Sequence, residues 1–373
     1  MARRVRVRGG RGLLCARAAP RSVRRLCHQR HGHEHGHGLR RVRPRPHVIP
    51  HPPAGCGAAP RRTPLRRFPT TPQEPPVITL PASFPPPPDT APRRRILLVG
   101  LDGLRVDRAI DAGLMPTLAR LAAAGSRHRM VVATPTLSGP SWATILTGAT
   151  IAEHGVTDNQ FFGARLSQYP DLLSRAFYAD PRRVTFAAAS WPPLVDPAGF
   201  GPIIHERVEQ HRAGQHRVVI RDGETRGYVS FDAEMVEHSL WALRHDTPDV
   251  CFTYLCDADE SGHLHGPLSP EYAASLARLD AHLARLAAEV ERLAAESGDD
   301  WLLAVTSDHG HVDAGGHGGD SDIERESFVV LARPGRAPLA WPAEITATSV
   351  TPRLLAFLDP APAAPATDPS PAP

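Results

Sequence analysis

Three apolar runs, residues 96–101, 250–256 and 301–306, each give way at once to Asp, His and Gly, in GLDGLR, CDADESGHLHGP and TSDHGHVDAGGHGGDSD. Six or seven apolar residues bounded by turn formers read as a strand buried on both faces. Helical patterns fall between and around them, at about residues 115–124, 141–146, 169–178, 232–244 and 270–295. The last places Leu276, Leu279, Leu283, Leu286 and Val290 at three- and four-residue spacing. Two more strands are expected at 130–133 and 184–189. Strands alternating with helices predict an α/β fold with a mostly parallel central sheet covered by helices on both faces. In such sheets functional groups gather at the C-terminal edge of the strands. Residues 197–230 show little periodicity and read as an excursion capping that edge.

Charge divides the 373-residue chain sharply. Residues 1–95 carry 21 Arg against three acids, a formal +18, and the remainder carries 22 Arg against 36 acids, a formal −14. Lys is absent. An all-Arg usage beside heavy Ala and Pro is what a GC-rich genome produces, so no specific nucleic-acid partner is expected from Arg alone. Residues 1–94, rich in Arg and Pro and without apolar periodicity, read as a disordered tail, or as a start placed too far upstream. Inside it His31, His33, His35 and His37 alternate with Gly and Glu, a pattern read as compositional. The folded domain is placed at 95–360, and residues 361–373 read as a second tail rich in Pro and Ala.

Leu13, Leu14 and Cys15 are flanked by Arg and do not make a signal sequence, so a cytoplasmic location is expected, or a secreted one if the true start lies downstream. No apolar stretch reaches the length of a membrane span. Cys251 and Cys256, five residues apart on one strand, point to opposite faces and predict no disulfide. Oligomeric state is left open.

Four segments place reactive groups just beyond an expected strand. Asp102 ends the first run, where an Asp is most often a turn or cap residue. Ser138, in TLSGPSWATILTG, lies on a Gly- and Pro-bounded turn entering a helix, which suits either an N-cap or a hydroxyl presented beside backbone N–H groups. Asp259 and His263, four apart in what reads as a Gly-bent loop, can converge on one cation, with Asp257 and His265 as extra candidates. Asp308, His309, His311, Asp313 and His317 crowd a Gly-rich stretch, a composition that favours metal over solvated surface. Adjacent Asp308 and His309 reach one ion only if a sharp turn folds them together.

In order and spacing these segments resemble the alkaline phosphatase superfamily, and within it the nucleotide pyrophosphatase and type I phosphodiesterase branch, over about residues 95–358. Ser138 stands ten residues before Gly148 of a Thr-Gly pair, His154-Gly155 follows, and Asn159 in HGVTDNQFF stands where that branch binds a phosphoryl oxygen. The resemblance implies two zinc ions, other divalent metals being possible. Asp259, His263 and His317 would hold one, and Asp102, Asp308 and His309 the other, with Ser138 bound to it as nucleophile. It implies hydrolysis of phosphodiester or pyrophosphate bonds of a small phosphorylated substrate through a covalent phosphoserine. Phosphate monoester hydrolysis is the main alternative and would need an additional cation, for which Arg105 and Arg165 are the candidates. A sulfatase-like or inactive metal-binding homologue is a lesser one, since Ser138 and Trp142 depart from the sulfatase pattern.

Overall fold

A computed structural model describes residues 92–199 and 201–359. Of the tail read at 1–94, residues 1–91 with their histidines lie outside these residues, as does the tail read at 361–373, while Arg94 opens the first strand. Eight strands form one sheet: β1 Arg94–Leu101, β2 Ser126–Val131, β3 Thr185–Ala189, β4 His216–Ile220, β5 Val250–Leu255, β6 Asp300–Thr306, β7 Glu326–Ala332 and β8 Glu344–Thr346. Their order is β4-β3-β5-β1-β6-β7-β2-β8. β4, β3, β5, β1 and β6 run parallel, and β7 pairs antiparallel with both β6 and β2. The sheet is thus mostly parallel, as expected, with β7 as its one reversed strand.

Period-two alternation accounts for the layering, because successive strand residues face opposite sides. Ile96 and Leu98 of β1 pack into one apolar cluster while Leu97, Val99 and Leu101 pack into the other. Helices cover both. On the first face lie α2 (Ser138–Thr147), α3 (Leu172–Ala179) and α7 (Val350–Leu358). On the second lie α1 (Pro116–Ala124), α4 (Tyr228–His245) and α6 (Pro270–Ser297), whose Leu276, Leu279, Leu283, Leu286 and Val290 are all fully buried. Cys256 belongs to the first cluster and Cys251 to the second, so the two thiols stay apart as expected. No described helix is long and apolar enough to cross a membrane.

Three expectations are corrected. The strand placed at 130–133 is β2 at Ser126–Val131, where Arg127 and Arg129 face outward and polar Ser126 and His128 share the inner face with Met130, which hides the pattern. The stretch 197–230 contains β4, an edge strand with only one well-buried residue, His216. The segment after β5 is not a loop but helix α5, Asp257–His265. The buried Asp232 carboxylate accepts the Cys256 and Asp257 N–H groups at 2.9 and 2.8 Å, satisfying the donors that open that helix, and Gly266, at φ 79°, ends it.

Candidate metal centre

All four segments meet at the C-terminal edge of the parallel strands, where β1, β5 and β6 lie side by side. Asp102 follows β1 directly and is fully buried. Its Oδ2 accepts hydrogen bonds from Tyr254 Oη at 2.6 Å and Trp142 Nε1 at 2.8 Å, which turns Oδ1 toward Ser138. Trp142 reaches that position because residue 100 is glycine; a Cβ there would stand 2.5 Å from the indole. The sequence offered no signal for the roles of Trp142 and Tyr254 beyond their place on α2 and near the end of β5.

Ser138 is the first residue of α2, with Leu137 in the capping position and no side-chain cap. Its hydroxyl turns inward, 3.4 Å from Asp102 Oδ1 and 3.2 Å from His309 Nε2. Asn159 lies against the same turn and accepts the Gly139 N–H at 2.8 Å through its side-chain oxygen. That leaves the Asn159 amide hydrogens as donors, and takes the Gly139 N–H away from the phosphate-binding role a helix N-terminus suggests. His154 secures the helix from behind. Its Nδ1 accepts the Val156 N–H at 3.1 Å, and its Nε2 bonds Thr144 Oγ1 at 3.0 Å, which donates to Pro140 O.

Asp259 and His263 are one turn apart on α5, 3.6 Å between Oδ2 and Nε2. His317 Nε2 stands 2.9 Å from His263 Nε2 and 3.4 Å from Asp259 Oδ1. Asp308 and His309 follow β6 and turn together, Oδ2 to Nε2 at 3.1 Å, as the sharp-turn expectation required. Ligand atoms of Asp259, His263, His311 and His317 lie within 4.8 Å of one another, and so do those of Asp102, Asp259 and His309. Asp259 therefore stands between two halves of one centre. His311 enters the first group although its sequence position assigned it no role. Thr136, also missed, ties the loop to the Ser138 turn: it accepts from Gly318 N, donates to Gly319 O at 2.9 Å, and its carbonyl accepts from His317.

Asp257 and Asp313 leave the centre. Asp257 makes a two-pronged ion pair with Arg278, at 2.7 and 2.9 Å. Asp313 pairs with Arg105 at 2.7 Å. His265 lies outside both groups. Phe161, beside Phe162, is buried and packs its ring 6.2 Å from that of Trp191.

The protonation balance shows what kind of ligand the cluster fits. Burial, reinforced by the Asp259 charge, pushes the Asp102 carboxyl up to about 8. Burial, then Asp102 and Asp259, raises Asp308 well above the carboxylate range. Burial also opposes ionisation of Asp259, but His311, His317 and His263 together hold it below its ordinary value. Burial, then His317, drives His309 far down, and burial takes His317 down to about 4 against the pull of Asp259. His309 Nδ1 faces Gly310 O at 3.1 Å and His317 Nδ1 faces Thr136 O at 2.6 Å, and a carbonyl only accepts. Both Nε2 atoms therefore carry lone pairs that point inward. Asp308 Oδ2 meets the His309 lone pair and makes no hydrogen bond. Acceptors facing acceptors in a buried pocket fit a cation, and a donor set of carboxylate oxygens and imidazole nitrogens suits zinc among divalent ions.

The sequence pattern of the family described as Type I phosphodiesterase / nucleotide pyrophosphatase matches residues 96–345. Among curated proteins, the catalytic subunit of GPI ethanolamine phosphate transferase 3 of Mus musculus is 34% identical over 131 residues, 34% of this chain and 11% of that protein. Ectonucleotide pyrophosphatase/phosphodiesterase family member 1 of Mus musculus is 26% identical over 218 residues, 54% of this chain and 21% of that protein. The chain thus spans between a tenth and a quarter of the length of these relatives. Among solved structures, murine ectonucleotide pyrophosphatase / phosphodiesterase 5 superposes with a TM-score of 0.51 at 15% identity, covering 71% of this chain and 95% of that one, a likeness of fold.

Proposed function

The chain belongs to the type I phosphodiesterase / nucleotide pyrophosphatase family, and from that premise we propose that it hydrolyses phosphodiester or pyrophosphate bonds of a small substrate, with Ser138 as nucleophile. The observation that carries the reading is the direction of the Ser138 hydroxyl, which caps nothing and faces Asp102 and His309. Asp102, Asp308, His309 and Ser138 would hold one divalent ion, and Asp259, His263 and His317 a second. When bound, two such ions supply Lewis-acid polarisation of a phosphoryl oxygen and acidify the groups they hold.

The residues of the chain divide the remaining work. Ser138 Oγ bonds to phosphorus as the bond to the leaving-group oxygen breaks, and the serine proton passes through solvent to that departing oxygen. Water then breaks the Oγ–P bond, its oxygen bonding to phosphorus and one of its protons returning to Ser138 Oγ. Asn159, its carbonyl anchored by Gly139, presents amide hydrogens where charge grows on the non-bridging oxygens. Tyr254 and Trp142 keep Asp102 Oδ1 aimed at Ser138 throughout.

Preference for a diester over a monoester is supported by the state of the two candidate arginines. Arg105 is buried and committed to Asp107, Asp313 and the His311 carbonyl. Arg165 is bonded to the Glu153 and Ala152 carbonyls. With these cations occupied and a neutral Asn159 at the phosphoryl site, the centre suits the single charge of a diester. The test is metal analysis together with rates on an aryl phosphodiester and an aryl phosphomonoester. About two zinc ions and faster diester cleavage are expected; a faster monoester reaction would reverse the assignment.

A further inference from the structure

Four side chains, Asp259, His263, His311 and His317, bring ligand atoms within 4.8 Å of one another on the solvent-facing side of the centre. If all four bound one ion the site would be closed, as in structural zinc sites; three ligands leave the open position that hydrolysis needs. The hydrogen bonds of His311 decide between these. The Gly316 N–H donates to His311 Nδ1 at 3.2 Å, so that nitrogen is an acceptor and the ring hydrogen sits on Nε2. Nε2 lies 2.9 Å from Asp259 Oδ1 and donates to it. This is the reverse of His309 and His317, whose Nδ1 atoms donate to carbonyls and whose Nε2 atoms keep their lone pairs.

The surroundings are built for this orientation. The ring is fully buried, and a Cβ on Gly103 or Gly262 would stand 2.6 or 2.8 Å from its Nε2. Gly315 and Gly316, at φ 88° and 89°, make the left-handed turn that aims the Gly316 N–H at the ring. We propose that His311 is no ligand but the positioning residue that fixes Asp259, so that the solvent-facing ion site keeps three protein ligands and one open position. The inference rests on the two-ion reading given above.

The experiment compares zinc stoichiometry, zinc dissociation constants by chelator competition, and the visible spectrum of the cobalt-substituted protein. The full chain, His311→Gln, His311→Ala and His263→Ala are measured side by side. Glutamine retains an N–H donor, so His311→Gln should keep two ions, a dissociation constant within about tenfold of the parent and unchanged cobalt bands. His311→Ala should still fill both sites at saturating zinc, with affinity weakened about 10- to 100-fold, the usual effect of losing a residue that orients a ligand. His263→Ala should lose far more affinity and shift the bands. Loss of one ion by His311→Gln, with bands shifted as in His263→Ala, would make His311 a ligand and overturn the proposal. Unaltered affinity in His311→Ala would overturn it from the other side. Absence of bound ions in the parent protein would instead overturn the two-ion reading on which it stands. Should His311→Ala not fold, the glutamine variant alone separates donor from ligand.

Discussion

The two halves of the centre use the same residue types in opposite surroundings. Asp102, Asp308 and His309 are wholly buried around Ser138, whereas the His263 side chain on α5 is 46% exposed. Burial drives both carboxylates of the inner half toward their protonated forms, while Asp259 of the outer half is held ionised by three imidazoles. Under the proposed function the inner half would need a cation to hold its charge, and its burial would shield the serine that the cation activates. The outer half meets solvent through His263, the side on which the proposed reaction would admit water and release the leaving group. The two halves thus differ in the charges around their carboxylates as well as in burial, and the proposed reaction assigns the nucleophile to the first and water to the second.

The largest effect expected from this contrast is on Ser138. Ser138→Ala should lower turnover of an aryl phosphodiester by about three orders of magnitude or more with zinc content unchanged. Ser138→Thr should keep partial activity because the hydroxyl survives. An alanine variant with its zinc and a tenth of the parental turnover would remove the nucleophile from the inner half.

Ligand removal separates the halves next. Asp308→Ala should lose about one zinc and on the order of 3 kcal/mol of stability, because His309 is left facing a buried void. His263→Ala should weaken zinc binding with a much smaller change in melting temperature, since solvent replaces the imidazole. Equal losses of stability in calorimetry would erase the distinction.

A smaller step is expected from Tyr254→Phe, which frees Asp102 Oδ2 on one side. Zinc affinity measured by competition should fall about 10- to 100-fold at the inner half only. Unchanged affinity would show that Trp142 alone orients Asp102.

The smallest effect concerns the helix beneath Ser138. His154 is fully buried, and burial, then Arg165, lowers its pKa from 6.5 to about 4. The unfolded chain therefore takes up the proton first as pH falls. The contribution of His154 to stability is complete above pH 6.5 and drains away between 6.5 and about 4, on the order of 2 kcal/mol. Urea titrations at pH 7 and pH 4.5 on the metal-free protein should show this loss, and His154→Gln should reduce it. A loss undiminished in His154→Gln would place the acid sensitivity elsewhere.

Much of this was legible in the chain because it is written in local pattern. The apolar runs that became β1, β5 and β6 and the heptad-like spacing of α6 declare themselves through periodicity. So does the convergence of the segments that follow them, since residues just beyond parallel strands must share one edge, whereas the choice of Asp102, Asp259, His263, Asp308, His309 and His317 among their residues came from the family resemblance. β4, β7 and β8 escaped: β4 is short and half-exposed, β8 has only three residues, and β7 opens on Glu326 and Ser327 soon after the Asp- and Gly-rich stretch, with no turn signal to set it off. Helix α5 was read as a loop because Asp, Ser and Gly are weak helix formers. Its N-terminus is satisfied by Asp232, a residue 25 positions earlier whose role no local window reveals.

The sequence by itself determined the α/β class, the strands β1, β3, β5 and β6, and the segments gathered at their C-terminal edge, because strand length, burial and side-chain alternation are properties of contiguous residues. Only the tertiary structure decided what each group faces: that the Ser138 hydroxyl turns to Asp102 rather than to its own helix, that Arg105 is committed to Asp107 and Asp313, and that the His311 ring accepts a backbone N–H where the His309 and His317 rings donate to backbone carbonyls. Those choices rest on hydrogen bonds between segments far apart in the chain, and the direction of a donor follows from where its partner is held in space.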